Sequence, residues 1–170
     1  MNVFLSAVLT ASLLAGASAL AGHSTSLPSL QPVLQDTRWY NGRADAASLK
    51  GKVVVVDVFT VDCINCQNVT PELRKLHASD ARRGLAVIGV HTPETSWEKN
   101  PRHVAAGLAQ LGVTWPVAID DDRRIWNAYG VSAWPTQLIF DRHGVLRATI
   151  VGDSQDAQVE RVVNGLLSQR

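Results

Sequence analysis

The sequence predicts an α/β fold in which helices cover both faces of one mixed central sheet. Three observations carry this. Lys52 to Phe59 (KVVVVDVF) is a near-continuous β-branched run, the pattern of a central strand buried on both faces. Further apolar runs alternate with amphipathic stretches, as strand–helix units do. Near the end, two short apolar runs flank Asp141-Arg142-His143-Gly144, a hairpin turn, and an amphipathic helix follows.

The first part of the chain does not look like domain. From Val3 to Leu20 it is apolar or small, and no charged side chain precedes Asp36. Ala19-Leu20-Ala21 has the small-x-small form of a signal-peptidase site, so residues 1–21 read as a signal peptide cleaved before Gly22. An uncleaved membrane anchor is the alternative, because the run has about the minimum length to span and Met1-Asn2 brings no Lys or Arg. Both readings place the rest of the chain outside the cytoplasm. Residues 22–36, rich in Ser, Pro and Thr, read as a flexible linker, and residues 37–170 as the domain.

Within that domain, Val69, Leu73 and Leu76 recur at helical spacing after the valine strand, and Gly84 ends the helix. Leu85 to Val90 is a second buried strand. Asn100-Pro101 is a cap with proline at the first helical position, and Val104, Leu108 and Leu111 form that helix's apolar face up to Gly112. Trp115 to Ile119 is a third strand, Arg123 to Tyr129 a short helix stopped by Gly130. Thr136 to Phe140 and Val145 to Val151 are the hairpin strands. Val159, Val162, Val163, Leu166 and Leu167 mark the last helix.

Sixteen basic and fifteen acidic side chains leave no field for nucleic acid or an anionic membrane surface. Membrane contact is expected only through an uncleaved N-terminal segment. The two cysteines, Cys63 and Cys66, are three positions apart. So short a loop constrains the unfolded chain little, and a stabilising role is not the natural reason for the pair. Cys63 falls just after the valine strand, where the next helix begins. A thiolate there faces unpaired backbone N–H groups and the positive end of the helix dipole, which makes it the better nucleophile. Cys66, one turn on and more buried, is the natural resolving thiol. An inert disulfide or half a zinc site are the bland alternatives. Zinc would need two more ligands, and His23, His77, His91, His103 and His143 show no paired ligand spacing. No metal or cofactor is therefore expected.

Asp57 carries the second signal. A carboxylate inside a valine run points into the sheet or beneath the cysteines, where burial raises its pKa and suits it to accept a proton from Cys66. A strand that ends early would leave it solvated instead.

These positions together resemble the thioredoxin superfamily, most closely the thioredoxin-like domain of DipZ-type proteins and exported TlpA-like reductases. Asp57 stands six before Cys63, Pro71 five after Cys66, and Cys-Ile-Asn-Cys is typical of the DipZ-type branch. Trp39-Tyr40-Asn41-Gly42, Val87 to Glu94 and Trp115 to Asp120 also match that branch, as does Ile125-Trp126. The resemblance implies a three-layer sandwich with a central insertion and an N-terminal extension. It implies a cis-proline at Trp134-Pro135 that holds substrate beside the cysteines. It also implies reduction of protein disulfides, with electrons from a membrane thiol–disulfide partner. Three departures bear on redox tuning: Asp62 beside the nucleophile, expected to disfavour its thiolate; Phe59 for a common Trp; and Val69 where some TlpA-like reductases carry a glutamate.

Rival readings exist. Thr60-Val61-Asp62-Cys63 has the T-x-x-C spacing of peroxiredoxins, although Val56 stands where that motif expects Pro. Cys63, Cys66 and His91 could bind copper without catalysis, or the fold could serve only interaction. His91 reads first as a hydrogen-bonded structural residue and Trp97, Trp115 and Trp126 as packing. Asp120-Asp121-Asp122 reads as a cap for the helix near Arg123.

Overall fold

A computed structural model of the chain describes residues 29–35 and 37–169. The expected signal segment and residues 22–28 and 36 of the expected linker lie outside the described residues.

The strands are β1 (Trp39–Tyr40), β2 (Val53–Phe59), β3 (Leu85–His91), β4 (Val117–Ile119), β5 (Thr136–Phe140) and β6 (Leu146–Val151). The helices are α1 (Ala46–Leu49), α2 (Ile64–Asp80), α3 (Pro101–Leu111), α4 (Arg124–Ala128) and α5 (Asp156–Leu167). The six strands form one sheet in the order β1-β4-β3-β2-β5-β6. β2 lies at its centre, parallel to β3 and antiparallel to β5. The valine run therefore occupies the position its composition demands, with all seven residues buried.

Strand alternation sends β2 side chains to opposite faces. Val53, Val55 and Phe59 face one core with Leu73 of α2, Leu108 of α3 and Val163 of α5. Val54, Val56 and Val58 face the other, with Leu49 of α1 and Ile125 and Trp126 of α4. Asp57 shares the α2 face by the same alternation, which sets it beneath the helix that carries Cys66.

Residues 29–35, read from composition as part of a flexible linker, pack on the domain instead. Ser29 bridges Val145 of the β5–β6 turn, and Val33 is fully buried in the second core. Leu30, Val33 and Leu34 at helical spacing supply an apolar face to a turn that Ser and Pro content had disguised. The third strand starts later than expected, at Val117 rather than Trp115, because Pro116 has no N–H to give to a ladder. α2 runs to Asp80, and a 3-10 turn over Ala81–Arg83 carries the chain to Gly84, whose φ of +94° suits glycine.

Pro71 interrupts the hydrogen bonding of α2 after its second turn. The Thr70 hydroxyl donates to the Cys66 carbonyl at 2.8 Å and adds a bond there. Gly107 brings α3 against the loop before Cys63. A Cβ on Gly107 would stand 2.7 Å from the Val61 Cβ, an unyielding branch point. Gly107→Ala should therefore destabilise the fold by about 1–2 kcal/mol in urea unfolding, although alanine is the better helix former. An unchanged or raised midpoint would mean that α3 does not press on this loop.

Candidate active site

β2 delivers the chain to a tight turn, Thr60 to Cys63, in which the Cys63 N–H donates to the Thr60 carbonyl at 3.4 Å. Cys63 is the N-cap of α2. Its extended backbone (φ −77°, ψ 116°) turns the sulfur over the first turn of the helix, where it accepts the Cys66 backbone N–H at 3.3 Å. Serine, threonine or aspartate usually fills such a cap, and here a sulfur does. The Gln67 side chain donates to the Val61 carbonyl at 3.1 Å and ties the turn to the same end of α2. Both cysteines are free thiols; Cys63 is half-buried and Cys66 fully buried. The less buried of the two cysteines is the one at the helix terminus, as the sequence predicted.

Asp57 is buried at 2 % exposure, and the strand does not end early. Burial raises its carboxyl from 3.8 to about 7, against the opposing pull of the Gln137 amide, which donates to Asp57 Oδ1 at 2.9 Å. Gln137 faces Asp57 directly across the β2–β5 pairing. Burial also pushes the Cys66 thiol up; the adjacent Cys63 sulfur adds to this, the Thr60 backbone N–H opposes it, and the Asp57 charge adds again. A neutral thiol and a carboxyl that titrates near neutrality are therefore buried within electrostatic reach of one another. Gln137 was missed in the sequence, although a glutamine inside the apolar run Thr136–Phe140 was a readable signal.

The Trp134-Pro135 peptide bond is cis, as the resemblance implied. Trp134 is held by its indole N–H, which donates to the Thr92 carbonyl at 3.0 Å, and by a ring contact with Trp126 at 4.3 Å. The Arg123 guanidinium lies 5.1 Å over the same ring. Trp134 and Cys63 pack at the edge of one core. Ile64, beside Cys63, is 66 % exposed. Val151 is exposed as well; it faces Thr136, the residue after Pro135, across β5 and β6.

The other sequence candidates find structural partners. Asp62 turns its carboxylate to the His103 ring at 2.8 Å, and Trp97 lies against that ring at 5.1 Å. Asp120 accepts the Ile125 and Trp126 N–H groups at 2.9 Å each and caps α4. His91 is fully buried, with Nε2 3.2 Å from the Thr60 hydroxyl and its ring edge-on to Phe59. Among the described residues no group of three or more His, Cys, Asp or Glu side chains is placed to hold a metal ion.

The redoxin family profile matches residues 23–166. The chain belongs to the redoxin family. This redoxin is 39 % identical over 128 residues to Protein DipZ of Mycobacterium bovis, which covers 75 % of this chain and 18 % of that protein. It is 28 % identical over 118 residues to thiol-disulfide oxidoreductase ResA of Bacillus anthracis, covering 69 % of this chain and 65 % of ResA. The chain thus spans less than a fifth of the DipZ protein and about two thirds of ResA. Among solved structures, a thiol-disulfide isomerase from Corynebacterium glutamicum superposes with a TM-score of 0.72 at 29 % identity, over 79 % of this chain and 94 % of that one. The fold is thioredoxin-like, and the cysteine pair has the CxxC spacing of thiol–disulfide proteins.

The Asp57 shift in this redoxin links stability to pH. The native state holds a proton on Asp57 up to about pH 7, whereas the unfolded chain releases it from about 3.8. Between those values the native state binds more protons, so this contribution, fully present below the window, is lost as pH rises through it. Asp57→Asn should match the wild type in stability below the window and exceed it by roughly 2–4 kcal/mol above it. A difference that does not vary with pH, in denaturant unfolding, would mean that Asp57 has an ordinary carboxyl.

Proposed function

We propose that the protein is an exported thiol–disulfide oxidoreductase that reduces protein disulfides through a Cys63–Cys66 dithiol/disulfide cycle. One observation carries the reading: a half-buried sulfur caps α2, and a buried thiol one turn on lies within electrostatic reach of Asp57. In the first step the Cys63 thiolate attacks one sulfur of a substrate disulfide, and the other leaves with the electron pair as a thiolate that takes a proton. In the second, Cys66 gives its proton to Asp57 and attacks Cys63. The mixed disulfide breaks, the substrate departs reduced, and the Cys63–Cys66 disulfide remains. A membrane thiol–disulfide partner is the proposed source of the electrons that regenerate the dithiol.

Trp134 and Pro135 are the proposed substrate-holding loop. The Pro135 carbonyl is occupied by the Gly152 N–H at 2.9 Å, whereas among the described residues no other backbone group pairs with the Trp134 backbone. An extended substrate could use that edge in the manner of an added strand. The exposed side chains of Ile64 and Val151 suit the apolar flanks of an unfolded substrate.

A peroxidase reading has less support, because the Thr60 hydroxyl is fully buried and donates to Glu98. It is not free to assist a peroxide at Cys63.

The purified protein should accelerate thiol-dependent reduction of insulin, and Cys63→Ser should abolish the acceleration. Cys66→Ser should accumulate mixed disulfides with substrate on Cys63, identifiable by mass spectrometry. Full activity in Cys63→Ser, or peroxide consumption that outpaces insulin reduction, would overturn this assignment.

A further inference from the structure

A buried polar cluster beneath the turn takes no part in the steps above. Thr60 is fully buried and its hydroxyl donates to Glu98 Oε1. Its single proton being so used, the Thr60 oxygen accepts from His91 Nε2 at 3.2 Å, which fixes the proton of the neutral ring on Nε2. Burial drops His91 to about 4, so the ring is neutral at physiological pH. Glu98 is 1 % exposed, and its second oxygen accepts the Glu94 and Thr95 N–H groups at 2.8 Å each. Burial alone would raise the Glu98 carboxyl, but the Thr60 hydroxyl and these amides outweigh it and hold the group below its ordinary value. The Thr92 N–H donates to the Phe59 carbonyl at 2.9 Å and bolts the same loop to the end of β2.

This anchoring converges on one backbone unit. The Thr60 carbonyl accepts the Cys63 N–H at 3.4 Å, and the Thr60 N–H is the backbone group that opposes the rise of the Cys66 thiol. Asp57 and Cys63 are the titratable groups whose charges bear on that sulfur. We propose that Thr60 is a positioning residue for the resolving step, held by His91 and Glu98 so that its backbone N–H meets the charge that develops on Cys66. This rests on Cys66 being the resolving thiol. During resolution the Cys66 proton passes to Asp57, the Cys66 sulfur forms its bond to Cys63, and the substrate sulfur leaves with the electron pair. An amide fixed beforehand stabilises the transient thiolate without reorganising. Without the hydroxyl, nothing ties the Thr60 side chain to His91 and Glu98, and the amide loses its fixed aim.

The test separates the two steps in one protein. Reduced protein mixed with excess dithiobis-nitrobenzoate should release one chromophore as Cys63 attacks and a second as Cys66 resolves the adduct. Thr60→Val keeps the side-chain shape and removes the hydroxyl. It should leave the first release nearly unchanged and slow the second roughly tenfold near neutral pH, the size of one hydrogen bond to a charged group. The pH profile of the second release should move to higher pH, and Thr60→Ser should restore both rate and profile. If Thr60→Val does not fold, Glu98→Ala serves. It removes the acceptor of the Thr60 hydroxyl and leaves Thr60 tied to His91 alone, with the hydroxyl free to donate to the ring. That moves the ring proton to Nδ1, visible in imidazole nitrogen NMR, and should slow the second release. A second release as fast as wild type in the folded variant, or equal slowing of both releases, overturns the proposal. Absence of a second release in the wild type would instead overturn the role of Cys66.

Discussion

The structure turns on one contact: a backbone N–H in the first turn of α2 donating to the sulfur of Cys63. A helix of 17 residues begins at that point, so unpaired amides and a long dipole bear on one side chain. Oxygen caps are common because oxygen is the better acceptor. A sulfur cap gains most from such a contact when the sulfur carries charge. The rest of the architecture brings the sulfur there. β2 runs through the centre of the sheet and ends four residues before it, in a turn that cannot drift because the strand behind it is buried on both faces.

The second constraint is the cost of keeping polar groups dry. Asp57, Gln137, Thr60, His91 and Glu98 are each at most 2 % exposed, and all lie towards one end of β2 and its neighbours. Buried polar groups weaken a core unless paired, and local rules are usually broken at sites of chemistry. Here the pairing is nearly complete. The exceptions are the Gln137 Oε1 and His91 Nδ1 atoms, which find no hydrogen-bond partner among the described residues. The valine-rich remainder of the sheet offsets this loss by ordinary apolar burial. The division is spatial: stability at one end of the sheet, chemistry at the other.

Much of this was legible in the sequence because strong local patterns carried it. The valine run, the position of the CxxC pair at a strand-to-helix junction, the burial of Asp57 and the periodic last helix all follow from local pattern, and the structure places each of them there. The cis bond before Pro135 came from resemblance alone. What stayed hidden depended on contacts distant in sequence. Glu98 sits in a polar, Pro- and Thr-containing loop that composition marks as exposed, and it is buried only because that loop folds over the end of β2. Residues 29–35 looked like a tether because they continue a Ser-, Pro- and Thr-containing stretch, while the core that buries Val33 is built from residues distant in sequence, such as Leu138 and Phe140. Gln137 gave a signal, a polar residue in an apolar strand, but its meaning required the register that sets it opposite Asp57.

The central claim is that Cys63 and Cys66 act as one two-electron couple. Equilibrating the protein against graded glutathione redox buffers, then alkylating free thiols and weighing the products, tests it directly. The account predicts that both thiols disappear together in a single two-electron transition, at a potential between about −100 and −300 mV. Thiols that oxidise separately, ending as glutathione adducts with no bond between Cys63 and Cys66, would contradict it.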